Sequence, residues 1–361
     1  MKPTMSSVLI DASLIHYANT GIANVMRSLL KGIEAHPNAS LDYKILVPHN
    51  HGFSARKNIS YVPVRKWQKF VPLSLPRVDV WHSTYQSFRF LRKATNTRQV
   101  ITIHDLNFLY EKNSYKAKFH LDRLQQRVDR ADALVTISQF VADDIKKHIK
   151  LNDKPVEVIY NCVENLQQHP ATQPSFYQQD VPFFFSLGAM RRKKNFHTLL
   201  EVMARIPDHH LYICGNLDDK DYIEELHQKI AALKLNNVHI CGPISSAEKI
   251  WLYQHAKAFL FPSMFEGFGL PVIEAMQFGT PVFTSNMTSL PEVAGGHAFI
   301  WQQFDPDYMT ATLLENLPRL KNDAMCREKM IAYATGFNLE KNIQQYVGLY
   351  QRLATTSASG A

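Results

Sequence analysis

Cysteine is scarce: 361 residues contain four, Cys162, Cys214, Cys241 and Cys326, and no two stand at Cys-x-x-Cys spacing. That argues against a zinc ribbon and against a disulfide framework, and it fits a reducing cytoplasm. No apolar run approaches the roughly 18 residues of a membrane-spanning helix. Met1 to Ile15 lack the shape of a signal peptide, because Asp11 interrupts the short apolar run Val8–Ile10. Glycine (14) and proline (18) are too few for a collagen-like or low-complexity chain. What remains is a globular composition, 45% hydrophobic and 20% charged. At roughly 150 residues per domain the length suggests about two domains.

Charge divides the chain more sharply than composition does. Residues 1–164 carry 24 Lys/Arg against 14 Asp/Glu, whereas residues 165–361 carry 16 against 18. The basic first half implies an anionic partner: phosphate, a membrane surface or nucleic acid.

Short β-rich runs alternate with helical patterns in both halves. In the first, Ser7–Ile10, Tyr43–Val47, Val78–His82, Gln99–His104, Ala133–Ile137 and Val156–Ile159 read as strands. Helices are expected at Asn24–Ile33, at Lys118–Arg130 and after Ser138. The stretch 165–180 is polar, proline-containing and nearly uncharged, and reads as a linker. The alternation then restarts with strands at Phe183–Leu187, Leu211–Cys214, Val238–Cys241, Ala258–Phe261 and Pro281–Thr284. Helices Phe196–Arg205, Tyr222–Leu233, Ala247–His255 and Pro271–Phe278 lie between them. Such alternation predicts an α/β fold of two doubly wound, Rossmann-like domains, 1–164 and 181–338, facing across a cleft. A helix at Leu339–Leu353 is expected to pack back on the body, and 354–361 to form a disordered tail.

The most informative segment is Phe261-Pro-Ser-Met-Phe-Glu-Gly-Phe-Gly-Leu-Pro-Val-Ile-Glu-Ala-Met. A strand ends, a glycine loop follows, and Pro271 suits the first turn of a helix. Glycines allow close backbone approach, and a helix N-terminus favours phosphate. Glu266 stands before the helix, and Glu274 about one turn inside it, where a carboxylate can accept from a pair of ribose hydroxyls. Arg191, Arg192, Lys193 and Lys194 follow Gly188 at another strand end and suit a departing diphosphate. Two weaker features are Gly21, opening the first helix, and His104, ending a strand. His82 ends another strand and is a lesser cleft candidate.

The Glu266/Glu274 pair within Glu-Gly-Phe-Gly-Leu-Pro-Val-Ile-Glu-Ala resembles the signature of the family 4 retaining glycosyltransferases, which have the GT-B fold. That resemblance implies that Glu274 binds the donor ribose and that Glu266 lies near the donor sugar. Gly188 to Asn195 resembles the family's Gly-x4-Arg-Lys-Asn element, which makes Lys194 the diphosphate clamp. Lys193 replaces the family's arginine, a loss of planar two-pronged donation for which Arg191 or Arg192 would compensate. The resemblance further implies backbone contacts to the donor from Gly267, Phe268, Gly269, Leu270, Thr288, Ser289 and Leu290. It places Ile244 beside the base, and Gly21 and His104 near the donor phosphate and sugar. Ala23 and Cys162 depart from glycines usual in the family.

The expected activity is transfer of a sugar, mannose or another hexose, with retention, from a UDP- or GDP-linked donor to a glycan or lipid-linked glycan. Surface polysaccharide synthesis is the expected setting. The catalytic candidates are His104, Glu266 and Lys194, with no metal and no cofactor. Asp305-Pro-Asp307 reads as a helix-opening turn, not as a metal site. Arg65–Arg77 and Phe88–Lys93 mix cations with apolar residues and suit peripheral contact with the anionic inner face of a plasma membrane. The rivals are a nucleotide-sugar epimerase or a phosphorylase on the same fold, and a basic nucleic-acid-binding protein. No recognition motif supports the last.

Overall fold

The computed structural model describes residues 5–16, 21–49, 52–69, 75–87, 96–178 and 181–358. The elements run β1 (Ser6–Asp11), α1 (Gly21–Ala35), β2 (Leu41–Pro48), β3 (Ile59–Val64), β4 (Val80–Ser83), β5 (Arg98–Ile103), α2 (Phe108–Glu111), α3 (Ser114–Val128), β6 (Ala133–Thr136), α4 (Gln139–His148) and β7 (Val156–Val158). Then come β8 (Phe183–Leu187), α5 (Phe196–Met203), β9 (His210–Cys214), α6 (Lys220–Ala232), β10 (Val238–Gly242), α7 (Ser246–His255) and β11 (Ala258–Phe261). The last are α8 (Leu270–Gln277), β12 (Val282–Ser285), α9 (Leu290–Ala294), β13 (Phe299–Trp301), α10 (Pro306–Asn322), α11 (Ala324–Thr335) and α12 (Leu339–Ala358).

Two compact units result: residues 1–164 with 338–361, and residues 165–337. The first holds a parallel sheet in the order β3-β2-β1-β4-β5-β6-β7, the second one in the order β10-β9-β8-β11-β12-β13. Both are doubly wound, and both reverse direction beside their own first strand, β1 against β4 and β8 against β11. Helices cover both faces of such a sheet, so its central strands are continuously apolar. In β8 the run Phe-Phe-Phe-Ser is wholly buried, and the hydroxyl of Ser186 donates to the carbonyl of Leu260 at 2.5 Å. β3 was not expected. It contains Pro63, which is tolerated because β3 is an edge strand.

The last helix belongs to the first unit. Ile343, Tyr346, Leu349, Tyr350 and Ala354 are buried on one stripe and join the core built on β1, β2, β4 and β5. This corrects the expected end at Leu353. Ala354 continues the buried stripe one turn beyond Tyr350, and the helix runs to Ala358. The stretch expected as a linker is also more structured. Leu166 N and the side chain of Gln167 bond Gln277, at 3.0 and 2.5 Å. The Tyr177 ring lies 4.7 Å from that of Trp251.

His82 is not a cleft residue. It is wholly buried, bonded through Nδ1 to the Tyr350 hydroxyl (2.6 Å) and through Nε2 to Thr102 Oγ1 (2.7 Å). Burial, aided by the nearby His104, pushes its pKa down to about 3, so a neutral ring ties α12 to the sheet.

Candidate active site

In the second unit the chain after β8 and the chain after β11 leave adjacent strands, at the reversal point where doubly wound sheets bind ligands. Residues Arg192–Lys194 form a single 3-10 turn, which points successive side chains about 120° apart. Of the three, Lys194 pairs with Glu266. Its Nζ also stands 5.1 Å from the centre of the Phe261 ring. Gly188 makes room for this lysine: a Cβ there would meet Lys194 Cε at 3.2 Å and Cδ at 3.3 Å.

Glu266 is tightly framed. Its Oε1 accepts from Ser263 Oγ (2.7 Å) as well as from Lys194, and its N–H donates to Thr288 Oγ1 (3.1 Å). The Lys193 carbonyl accepts from Met264 N at 2.8 Å, which fastens the two segments together. Gly269, at φ +104°, turns the chain into α8, where Pro271 occupies the first turn. The amides of Gly267 to Leu270 lead into that helix start, whose partial positive charge suits phosphate.

Glu274, on α8, has a frame that the sequence did not disclose. Its Oε1 pairs with Lys249 Nζ at 2.8 Å, and its Oε2 accepts from the Tyr253 hydroxyl at 3.0 Å. Burial and the Glu274 charge push the Tyr253 phenol far up, so it stays a donor. Both partners lie on α7, four residues apart and hence on one face. That spacing is the one signal that points to them. Each Glu274 oxygen keeps a second lone pair for a ligand hydroxyl. Ile244 stands half-buried just before Ser245, which caps α7.

Several of the expected donor contacts have partners within the protein. Arg191 binds Asp218 (2.9 Å) and Arg192 binds Glu225 (Nη1 to Oε1, 3.1 Å), both as exposed pairs. The Arg192 guanidinium also lies over the Tyr222 ring, 5.6 Å from its centre. The Leu290 amide is spent on Met287 O (3.2 Å) and its side chain is fully buried. The Ser289 hydroxyl is spent on the carbonyls of Glu266 and Phe268, both at 3.0 Å. Those two residues shape the loop. Phe268 is also a core residue, its ring 5.8 Å from Phe337.

In the first unit, His104 follows β5. The Thr84 carbonyl accepts from its Nε2 at 2.8 Å, and its own N–H donates to Gln86 Oε1 at 3.0 Å. Burial lowers its pKa, which makes it a neutral ring with Nδ1 as acceptor. Gly21 opens α1 with open space where a Cβ would stand. Asp305 caps α10 through Tyr308 N (2.9 Å) and Asp307 pairs with Arg205 (2.6 Å). Among the described residues no group of three or more His, Cys, Asp or Glu is placed to hold a metal ion. Of the expected membrane segments, residues 70–74 and 88–95 lie outside the described residues. Trp67 is half-exposed in a 3-10 turn.

Residues 31–165 match the model of glycosyltransferase family 4, and residues 171–337 that of the glycosyl transferases group 1. The chain is 29% identical over 256 residues to the O-antigen chain mannosyltransferase RfbU of Salmonella typhimurium, covering 69% of this chain and 68% of that one. It is 26% identical to O-antigen chain mannosyltransferase B of Escherichia coli, over 71% of each chain. Among solved structures it resembles a sucrose-phosphate synthase from Thermosynechococcus elongatus, with TM-score 0.76 and 17% identity, over 97% of this chain and all of that one. It also resembles HepE of Anabaena in complex with UDP and glucose, with TM-score 0.73 and 17% identity, over 96% of this chain and all of that one. Two parallel doubly wound sheets, a framed glutamate pair and these matches lead to one conclusion: the chain belongs to the family 4 type of glycosyltransferases and has their GT-B fold.

Proposed function

We propose that this enzyme moves a hexosyl group, with retention and without a divalent metal, from a UDP- or GDP-linked sugar to a glycan or lipid-linked glycan during surface polysaccharide synthesis. The observation that carries the reading is the Lys194–Glu266 pair, set between the Gly188 turn and the start of α8. The lysine ammonium has three N–H donors. One serves Glu266, and the others are available to a diphosphate whose charge grows as the sugar leaves. Glu274, already oriented by Lys249 and Tyr253, takes the ribose hydroxyls. Glu266 stands beside the sugar and offsets positive charge on its anomeric carbon. Gly267, Phe268, Gly269 and Leu270 offer backbone amides, and Thr288 holds Glu266 in place. His104, neutral and fixed in one tautomer, and Gly21 are assigned to the same reaction. The leaving phosphate takes the acceptor proton on the same face. The two O-antigen mannosyltransferase relatives favour a mannosyl donor.

We place the enzyme in the cytoplasm, touching the anionic inner face of the plasma membrane through its basic first unit. Among the described residues no helix is long and apolar enough to cross a membrane. Exposed Trp67 and the charge of residues 1–164 support the contact. Co-sedimentation with anionic vesicles, lost at high salt, tests it. Protein that stays in the supernatant at low salt overturns it.

The function itself is tested with UDP- and GDP-sugars. The right donor raises the melting temperature and is turned over in EDTA, with NMR showing the donor's anomeric configuration in the product. An inverted product, or loss of turnover in EDTA restored by Mn²⁺, refutes the mechanism. Epimerised donor without acceptor, or a requirement for free phosphate, refutes the transferase reading.

A further inference from the structure

Two of the four cysteines, 27 positions apart in sequence, meet in the fold. Cys214 ends β9, and Gly242 is its register partner on β10. The register shifts between Ile240 and Gly242, so Cys241 is the extra residue of a bulge. That bulge sets Cys241 beside Cys214 on the adjoining strand, where the two thiols interact, and the Cys241 thiol also donates to the His239 carbonyl at 3.6 Å. Cys214 is fully buried, whereas Cys241 is half-buried and within reach of solvent. The other two cysteines belong to different surroundings, Cys162 buried in the first unit and Cys326 on α11.

The thiol pair adjoins two segments of the donor site. The Cys214 carbonyl accepts from Gly188 N (2.9 Å), which anchors the turn carrying Lys194, and Gly215 N donates to Gly242 O (2.8 Å). A Cβ on Gly215 would fall 1.9 Å from the Gly188 oxygen, so this turn has no slack. On the other side, Gly242 leads through Ile244 into α7, which carries Lys249 and Tyr253. A bond between the two sulfurs would tie the ends of β9 and β10 together beside both segments.

We propose that Cys214 and Cys241 form a dithiol site that closes to a disulfide by exchange with a small disulfide, and that closure weakens nucleotide binding. The second half rests on the donor-site reading above. Cys241, the accessible thiol, attacks the small disulfide RSSR as thiolate, forms a Cys241–S–SR mixed disulfide and releases RSH. Cys214 then displaces the second RS group, which leaves as RSH with the Cys214 proton. The two protein thiols are oxidised, and one RSSR is reduced to two RSH.

The test uses the reduced full chain and oxidised glutathione, with peptide mapping under non-reducing conditions. The expected product is a Cys214–Cys241 link with a mass loss of two hydrogens. It forms in Cys326→Ser and not in Cys241→Ser. Phenylarsine oxide gives a second readout on the unmodified chain: one arsenical per chain shields both cysteines from alkylation. A glutathione adduct that persists on Cys241 without a link, or arsenical treatment that leaves Cys214 and Cys241 open to alkylation, overturns the dithiol site. In the linked protein, the melting-temperature rise given by UDP or GDP is expected to shrink by at least about half and to return with dithiothreitol. An unchanged rise overturns the effect on binding while the dithiol stands. No rise in the reduced protein with either nucleotide means that the donor reading has failed and the link has not.

Discussion

The two units share the order of six strands, to which the first adds β7, and differ in what stands beside the strand ends. In the first, two neutral histidines are buried there: His82 bonds Thr102 and Tyr350, and His104 bonds the Thr84 carbonyl. In the second, partly buried charges stand in pairs there, Lys194 with Glu266 and Lys249 with Glu274. Desolvation accounts for both patterns. A lone buried imidazole discards its proton, whereas a buried ammonium keeps its charge only beside a carboxylate. Topology is therefore common to the units, while the chemistry is local. The proposed diphosphate site needs fixed cations, and the second unit holds Lys194 and Lys249 in such frames.

The sharpest way to break this contrast is to remove the second unit's central cation. Lys194→Ala leaves Glu266 partly buried without its partner and, on the proposed mechanism, takes the charge from the leaving diphosphate. Transfer measured as kcat/KM is expected to fall by about 100-fold, with the far-ultraviolet circular dichroism spectrum unchanged. A fall below about threefold would mean that Lys194 is a structural ion pair and nothing more. Lys249→Met comes next. It leaves the fold of α7 intact but frees Glu274 on one side, and the charge-assisted bond is worth about 1.5–3 kcal/mol. The donor KM is expected to rise by about tenfold or more with kcat little changed, and Glu274→Gln should act in the same way. Equal loss in kcat would show that Lys249 serves the reaction itself.

The first unit is tested by acid. A histidine whose folded pKa is about 3 and whose unfolded value is near 6.5 gains a proton on unfolding. Its contribution to stability is complete above about pH 6.5 and drains away as pH falls toward about 3. Hydrogen exchange at the amides of β4 and β5 should therefore accelerate as pH drops through that window, after correction for intrinsic rates. Tyr350→Phe leaves His82 Nδ1 unbonded and should cost about 1–3 kcal/mol, lowering the melting temperature by about 2–4 °C per kcal/mol. If Tyr350→Phe melts as the parent does, the neutral network contributes nothing and α12 is held by its apolar stripe alone.

How much of this was legible in the sequence depended on range. β8 and β11 are apolar runs bounded by turn residues, and they stand where the pattern put them, because buried parallel strands announce themselves. β3 was missed, since Pro63 and polar neighbours hide a strand that survives only at an edge. Glu266 and Glu274 were found because the seven positions between them span one loop and one helical turn. Lys249 was not, because its partner is 25 residues away on another helix and composition carries no trace of that meeting. The Cys214 and Cys241 contact escaped for the same reason: a bulge created it. The arginines' own carboxylate partners were not legible either, because four consecutive cations look equivalent until a 3-10 turn sends them in different directions.

The smallest effect expected is at those arginines, and it discriminates between a cation cluster and a single framed cation. Arg191 and Arg192 lie on the same short segment as Lys194, so a smeared field of positive charge would make all three matter. The structure instead gives each arginine its own exposed carboxylate, Asp218 or Glu225, and exposed pairs of this kind contribute about 0–1 kcal/mol. Arg191→Ala and Arg192→Ala should each change kcat/KM by less than about twofold at moderate salt, where the Debye length of about 8–10 Å screens what remains. The double variant should stay within about fourfold if the two sites act independently. A loss near that of Lys194→Ala would show that the arginines leave their carboxylates for the donor. The cationic character of the second unit would then belong to the whole turn and not to one lysine.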